Sequence, residues 1–185
     1  MDQDQELMEW IVAGQAPVYF VFGSISVPDP RQTPRLIADV CAELGLRSLF
    51  CSGEGLPGRR RETDTLRLAR SVNHRLVLPC CRAVVHHGGA GTTAAGVRAG
   101  VPTVILWIGA EQPLWGRAVQ RLGVGTSGRL SAITHESLRA MLIKVMKPKV
   151  VARARVISGK TARACDSVTA VADLVEAKAR NHNRC

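Results

Sequence analysis

Aromatic residues are scarce in this chain, at 4% of 185 positions, so a core has to be built mainly from Val, Leu, Ile and Ala. Acidic residues are outnumbered, 15 Asp and Glu against 25 Lys and Arg, leaving a formal charge of +10. A surplus of that sign can serve nucleic acid, an acidic membrane surface or an anionic substrate. The arginines are scattered, however, and Arg59-Arg60-Arg61 is their only run, with no aromatic residue interleaved. Zinc-finger spacing, an RNA-binding signature and a basic heptad region are all missing. Nucleic acid is therefore not the expected partner, and the charge reads as a solvated surface.

The six cysteines include no CxxC pair: Cys41 and Cys51 sit in apolar stretches, Cys80 and Cys81 are adjacent, and Cys165 and Cys185 come late. Neither a disulfide framework nor a zinc cage fits that distribution, so the thiols read as reduced and structural, and no metal or cofactor is expected. Long apolar runs are absent too; a stretch such as 101–108 is far too short to span a bilayer. Residues 1–9 are acidic and polar and do not read as a signal peptide. The expectation is a soluble cytoplasmic protein, at most peripheral to a membrane.

What the chain does have is alternation. Short β-rich runs at 17–22, 46–51, 66–72, 83–86 and 103–107, with a last one starting at Val124, are separated by helical patterns. Leu36, Ile37, Val40, Cys41 and Leu44 recur at helical spacing, Asn73 is a plausible N-cap, and Gly100 closes a helix begun after Gly91. Further helices are predicted over 113–122, over 136–146 behind Thr134, and in a last stretch capped by Asp166. Strand and helix in turn predict an α/β fold, a Rossmann-like doubly wound parallel sheet, with ligands at the C-terminal strand ends. Residues 1–16 read as a linker segment, 17–180 as the domain and 181–185 as a tail.

The most informative segment is Val84-Val85-His86-His87-Gly88-Gly89-Ala90-Gly91-Thr92-Thr93. A strand runs through small residues straight into a helix, whose first N–H groups are unpaired and carry the positive end of its dipole. Small residues let an anion approach that backbone, and the two threonine hydroxyls can add hydrogen bonds. The chemistry points to a phosphate or diphosphate. A Walker loop is excluded because no GK[ST] follows. A dinucleotide fingerprint is only loosely met, since Glu111 lies beyond the next strand.

The stretch 74–112 resembles the donor-binding signature of GT-B glycosyltransferases of the UDP-glycosyltransferase superfamily. It is most similar to the bacterial antibiotic and macrolide glycosyltransferases and to the sterol glucosyltransferases. The pieces carrying the resemblance are Asn73-His74, the HHGGAGTT core, Ala99-Gly100-Val101-Pro102 and Glu111-Gln112-Pro113-Leu114-Trp115. Phe22-Gly23-Ser24 resembles the loop that opens the family's C-terminal domain, so the chain is similar to the C-terminal half alone.

The resemblance implies that His86 contacts the donor diphosphate, with the N–H groups of Gly88, Gly89, Ala90 and Gly91 and with Thr92 and Thr93; His87 is left open between site and sheet. It implies that Gly23 and Ser24 touch the phosphates, that Val72, Asn73 and His74 lie along the base, and that Glu111 and Gln112 bind hydroxyls of the sugar. Glu111 stands where the family usually has Asp. The activity implied is metal-independent, inverting hexosyl transfer from a UDP- or dTDP-sugar to a hydroxyl of a small lipophilic acceptor. The general base is implied to lie in a separate N-terminal domain, whose absence would leave a face open to self-association. The alternative is a non-catalytic nucleotide-sugar-binding fragment or subunit.

Overall fold

Six short strands, β1 (Val18–Val21), β2 (Ser48–Cys51), β3 (Leu66–Ala69), β4 (Ala83–His86), β5 (Thr103–Trp107) and β6 (Gly125–Arg129), form one sheet in the order β3-β2-β1-β4-β5-β6. Every pairing between them is parallel. The computed structural model describes residues 3–23, 32–51, 63–161, 169–176 and 180. Ser24, the arginine run 59–61 and Asp166 lie outside the described residues.

The strand order sets the position of the site. From β1 the chain works outward through β2 to β3, then returns to the other side of β1 and works outward again through β4, β5 and β6. Connections therefore leave β1 and β4 in opposite directions. Beyond their C-terminal ends this opens a crevice, the usual ligand position in doubly wound sheets.

Period-two alternation along the strands divides the core between two faces. Val18, Phe20 and Phe22 join Val85, Val104 and Leu106 beneath Ile37 and Val40 of α2 (Gln32–Glu43) and Leu138 and Leu142 of α6 (His135–Val145). Tyr19, Val21, Leu49 and Val84 point the other way, toward α3 (His74–Val77) and α4 (Ala90–Ala99). Ile105 meets Val119 of α5 (Gln112–Leu122) and Ala154 of α7 (Pro148–Ser158) in a smaller third cluster.

Two helices were not expected. Residues of the anticipated linker form α1 (Gln3–Val12), which buries Leu7 and Ile11, a pair four residues apart, in the second core. Arg47 holds its end: Nη1 donates to the Ile11 and Gln15 carbonyls, Nη2 to that of Trp10, and the guanidinium lies 3.8 Å from the centre of the Trp10 ring. That cation–π contact and the hydrogen bonds satisfy carbonyls that a helix end leaves open. The second unexpected helix, α7, opens on Pro148 at a position where the missing N–H costs nothing.

Candidate functional site

The segment leaving β4 makes the tightest turn at the crevice. Gly88 is buried with φ at +94°, and a Cβ there would lie 2.7 Å from Ile105 Cγ2, so a side chain is excluded by both strain and volume. Gly89 is the N-cap of α4 and has no side chain to cap it, and the helix has no acidic residue in its first turn. The first helical bond runs from the Thr93 amide to the Gly89 carbonyl at 3.0 Å. Among the described residues, the amides of Gly89, Ala90, Gly91 and Thr92 therefore have no acceptor. These are the groups that favour an anion at a helix start.

The two histidines of the turn have separate jobs. His86 is the last residue of β4 and is fully buried; its Nδ1 accepts the Gly88 amide at 3.0 Å. Burial, helped by the neighbouring His87 and His74, pushes its pKa down to about 3. The ring expected to contact the diphosphate is thus neutral, enclosed and engaged. The Gly88 N–H, also expected to face the ligand, is held by that ring instead. Thr93 departs from expectation as well: it is buried and its hydroxyl donates to the Gly89 carbonyl at 2.9 Å. Thr92 is half-buried, and Ala90 and Gly91 are exposed.

His87 is the residue presented at the crevice. It is half-buried, and its ring lies between the glycine that follows β1 and the one that starts α4. A Cβ on Gly23 would lie 3.5 Å from its Cε1, and a Cβ on Gly89 2.7 Å from its Nε2. At Gly89 a side chain would crowd the imidazole, whereas Gly23 meets it at ordinary contact distance and needs glycine for its φ of +63°. Burial lowers the His87 pKa, while the Val21 carbonyl and the Glu111 carboxylate pull in the opposite direction. The sequence held a signal for this. In a strand whose Val84 and His86 face the same layer, the residue after the last pair leaves the sheet, and that residue is His87.

The loop from β5 to α5 closes another side. Gln112 is buried, and its Oε1 accepts the amides of Ile108 at 2.8 Å and Gly109 at 3.3 Å. Gln112 was expected to meet a sugar hydroxyl; its oxygen is tied to the loop, which leaves the Nε2 amide for such a contact. Ala110 has φ at +53°, a conformation costing a non-glycine residue about 1–3 kcal/mol. Glu111 follows it, exposed, at the N-cap of α5, and it makes no capping bond with its side chain. Trp115, on the same helix, is 38% exposed.

The segment expected along a base starts α3. Asn73 caps that helix by accepting the Arg75 amide at 3.0 Å. Val72 packs on the second core, and His74 Nε2 lies 3.1 Å from the buried Tyr19 hydroxyl. Burial lowers the His74 pKa. Among the described residues no three His, Cys, Asp or Glu side chains are grouped to hold a metal, and no helix is long and apolar enough to cross a membrane.

The fold and its crevice define a Rossmann-like domain with an uncapped glycine-rich helix start at the topological switch point. Residues 53–176 match the family described as erythromycin biosynthesis protein CIII-like, C-terminal domain, and the chain belongs to that family. It is 46% identical over 179 residues to a Mycobacterium tuberculosis protein named as an uncharacterized glycosyltransferase, covering 97% of this chain and 43% of that protein. It is 42% identical over 123 residues to a sterol 3-beta-glucosyltransferase of Arabidopsis thaliana, covering 66% of this chain and 19% of that one. In fold it matches the glycosyltransferase VinC, solved in complex with dTDP, with a TM-score of 0.65 and 23% identity over 82% of this chain and 39% of that one. The chain spans less than half the length of the mycobacterial relatives it matches.

Proposed function

We propose that the chain is the donor-binding half of an inverting, metal-independent glycosyltransferase that uses a UDP- or dTDP-sugar and a small lipophilic acceptor. One observation carries the reading. The unpartnered amides of Gly89, Ala90, Gly91 and Thr92, the His87 ring and the Glu111 carboxylate converge where the strand order reverses. The diphosphate lies against the amides, with His87 donating to it from the β1 side. Glu111 accepts from sugar hydroxyls, the Gln112 Nε2 amide is a further sugar contact, and Val72, Asn73 and His74 flank the base. The names of the relatives and the dTDP-bound neighbour support the same donor class.

In the reaction an acceptor hydroxyl attacks the anomeric carbon, the bond from that carbon to the diphosphate oxygen breaks, and the acceptor proton passes to a base. Negative charge grows on the leaving diphosphate. Donors fixed in advance stabilise it by about 3 kcal/mol each without reorganising. His86 and His74 are engaged inside the chain, and the family resemblance places the base in a second domain across the crevice. An exposed stripe suits such a partner: Val171, Leu174 and Val175, at i, i+3 and i+4 of the helical stretch 169–176, are 60–66% exposed. Without that domain the stripe favours self-association.

The test is turnover of labelled UDP- and dTDP-sugars over a broad acceptor panel, with this chain alone and with the N-terminal part of a relative added. Alone, the chain lacks the proximity advantage of a bound acceptor, about 7–11 kcal/mol, and is expected at background. Robust transfer by the chain alone would overturn the half-site reading. Donor binding that never supports transfer with any partner would favour a binding-only subunit.

A further inference from the structure

We infer that His86 is a positioning residue: as a neutral imidazole protonated on Nε2, it grips the Gly88 amide and so fixes the turn that presents the α4 amides and His87. This rests on the donor-site reading for its functional consequence, but its geometry does not. The protonation state follows from the hydrogen bond. Nδ1 accepts the Gly88 N–H at 3.0 Å, so Nδ1 carries no proton, and in a neutral ring the single proton then sits on Nε2. Nε2 is buried with no hydrogen-bond partner among the described residues.

The environment makes a polar ring costly at this position. His86 ends a strand whose other residues are Ala83, Val84 and Val85, paired in register with Val21 on one side and Ile105 on the other. A valine or leucine would pack there without desolvating two ring nitrogens. What the imidazole provides and an aliphatic side chain cannot is an acceptor two residues back from a buried glycine amide.

That amide needs one. Gly88 is buried, has left the sheet with φ at +94°, and a backbone N–H there finds no strand partner. Losing the bond leaves a buried donor unsatisfied in the turn that aims the next four amides. His87 is oriented by the same turn, because it lies between His86 and Gly88 in the chain and its ring fills the space over Gly89. A fixed His86–Gly88 bond thus places both the imidazole and the amide row in advance of any ligand.

Two substitutions separate this role from direct contact. The side-chain oxygen of Asn can occupy the Nδ1 position, whereas Leu supplies shape without an acceptor. Isothermal titration with UDP is expected to give His86→Asn an affinity within about threefold of the original and to weaken His86→Leu by about tenfold or more. In the unsubstituted protein, nitrogen NMR of the ring should report the Nε2-protonated form. The Gly88 amide should exchange with solvent more slowly than those of Gly89, Ala90, Gly91 and Thr92.

A ring protonated on Nδ1, or a Gly88 amide exchanging as fast as its neighbours, would overturn the inference even if His86→Leu fails to fold. So would equal UDP affinity in His86→Leu and the original, or an equal loss in both variants. Should the unsubstituted chain bind no UDP, the donor-site reading falls. The positioning role is then decided by the tautomer and by Gly88 exchange, expected to be slow in His86→Asn and fast in His86→Leu.

Discussion

The two loops that border the crevice solve opposite problems. After β4, the backbone is what faces outward: a side chain, His86, supports the turn from within, and amides at the α4 start have no acceptor among the described residues. After β5, the backbone is the part satisfied internally, by Gln112 Oε1, and a side chain, Glu111, is left exposed. The difference matches the two chemistries proposed. A diphosphate has charge spread over several oxygens and suits a row of fixed N–H donors. Sugar hydroxyls need an acceptor with reach, which a carboxylate supplies.

The largest effect is expected at the β4 turn. Gly88→Ala forces a Cβ into the left-handed region and to 2.7 Å from Ile105 Cγ2, and should cost about 2–4 kcal/mol in urea unfolding. A stability unchanged within error would mean the turn is softer than its geometry. Next, His87→Ala should weaken UDP binding by about 1.5–3 kcal/mol, the loss of a hydrogen bond to a charged group. His135→Ala serves as the control, since His135 lies 3.3 Å from Glu43 on the α2–α6 surface. Equal dissociation constants for the two variants would remove His87 from the site.

At the β5 loop, Gln112→Leu should destabilise the chain by about 1–3 kcal/mol by stranding the Ile108 and Gly109 amides. It should lower the affinity for a UDP-sugar more than for UDP. An identical loss for both ligands would break the division of labour between the loops.

The last effect, absent near neutral pH, comes from titration. His86 is held down to about 3 in the folded chain against an ordinary 6.5. Between those values the unfolded chain takes up a proton that the folded one refuses. Its contribution to stability is intact above about pH 6.5 and erodes as pH falls toward 3. Denaturation midpoints across that range should slope less steeply in His86→Asn.

Strands β1 to β5 were the most legible part of the sequence because each is a short, mainly apolar run in a parallel sheet, bounded by turn residues. Strand β6, Gly125-Thr126-Ser127-Gly128-Arg129, was signalled only by the Val124 before it. The helix α1 escaped notice because it opens on Gln3-Asp4-Gln5-Glu6, and only Leu7 and Ile11 are fully buried, with Met8 and Trp10 partly so. In α7 the one buried residue is Ala154, too little to set up an apolar period. The glycine loop was legible from residue types alone as a tight turn into an uncapped helix start. Which of its two histidines faces the crevice was not, because that depends on where β4 ends and on the room left at Gly89. The binding role given to Thr93 did not anticipate that polar side chains beside a glycine turn are first claimed by local backbone groups, as Gln112 Oε1 also is.

The central claim is that the switch-point crevice holds a nucleoside diphosphate through backbone amides and His87, without a metal ion. Isothermal titration of the chain with UDP and with dTDP, each with and without EDTA, tests it most directly. The account predicts saturable one-to-one binding of at least one of them, unchanged by the chelator. Binding that vanishes in EDTA, or no binding of either nucleotide, would contradict it.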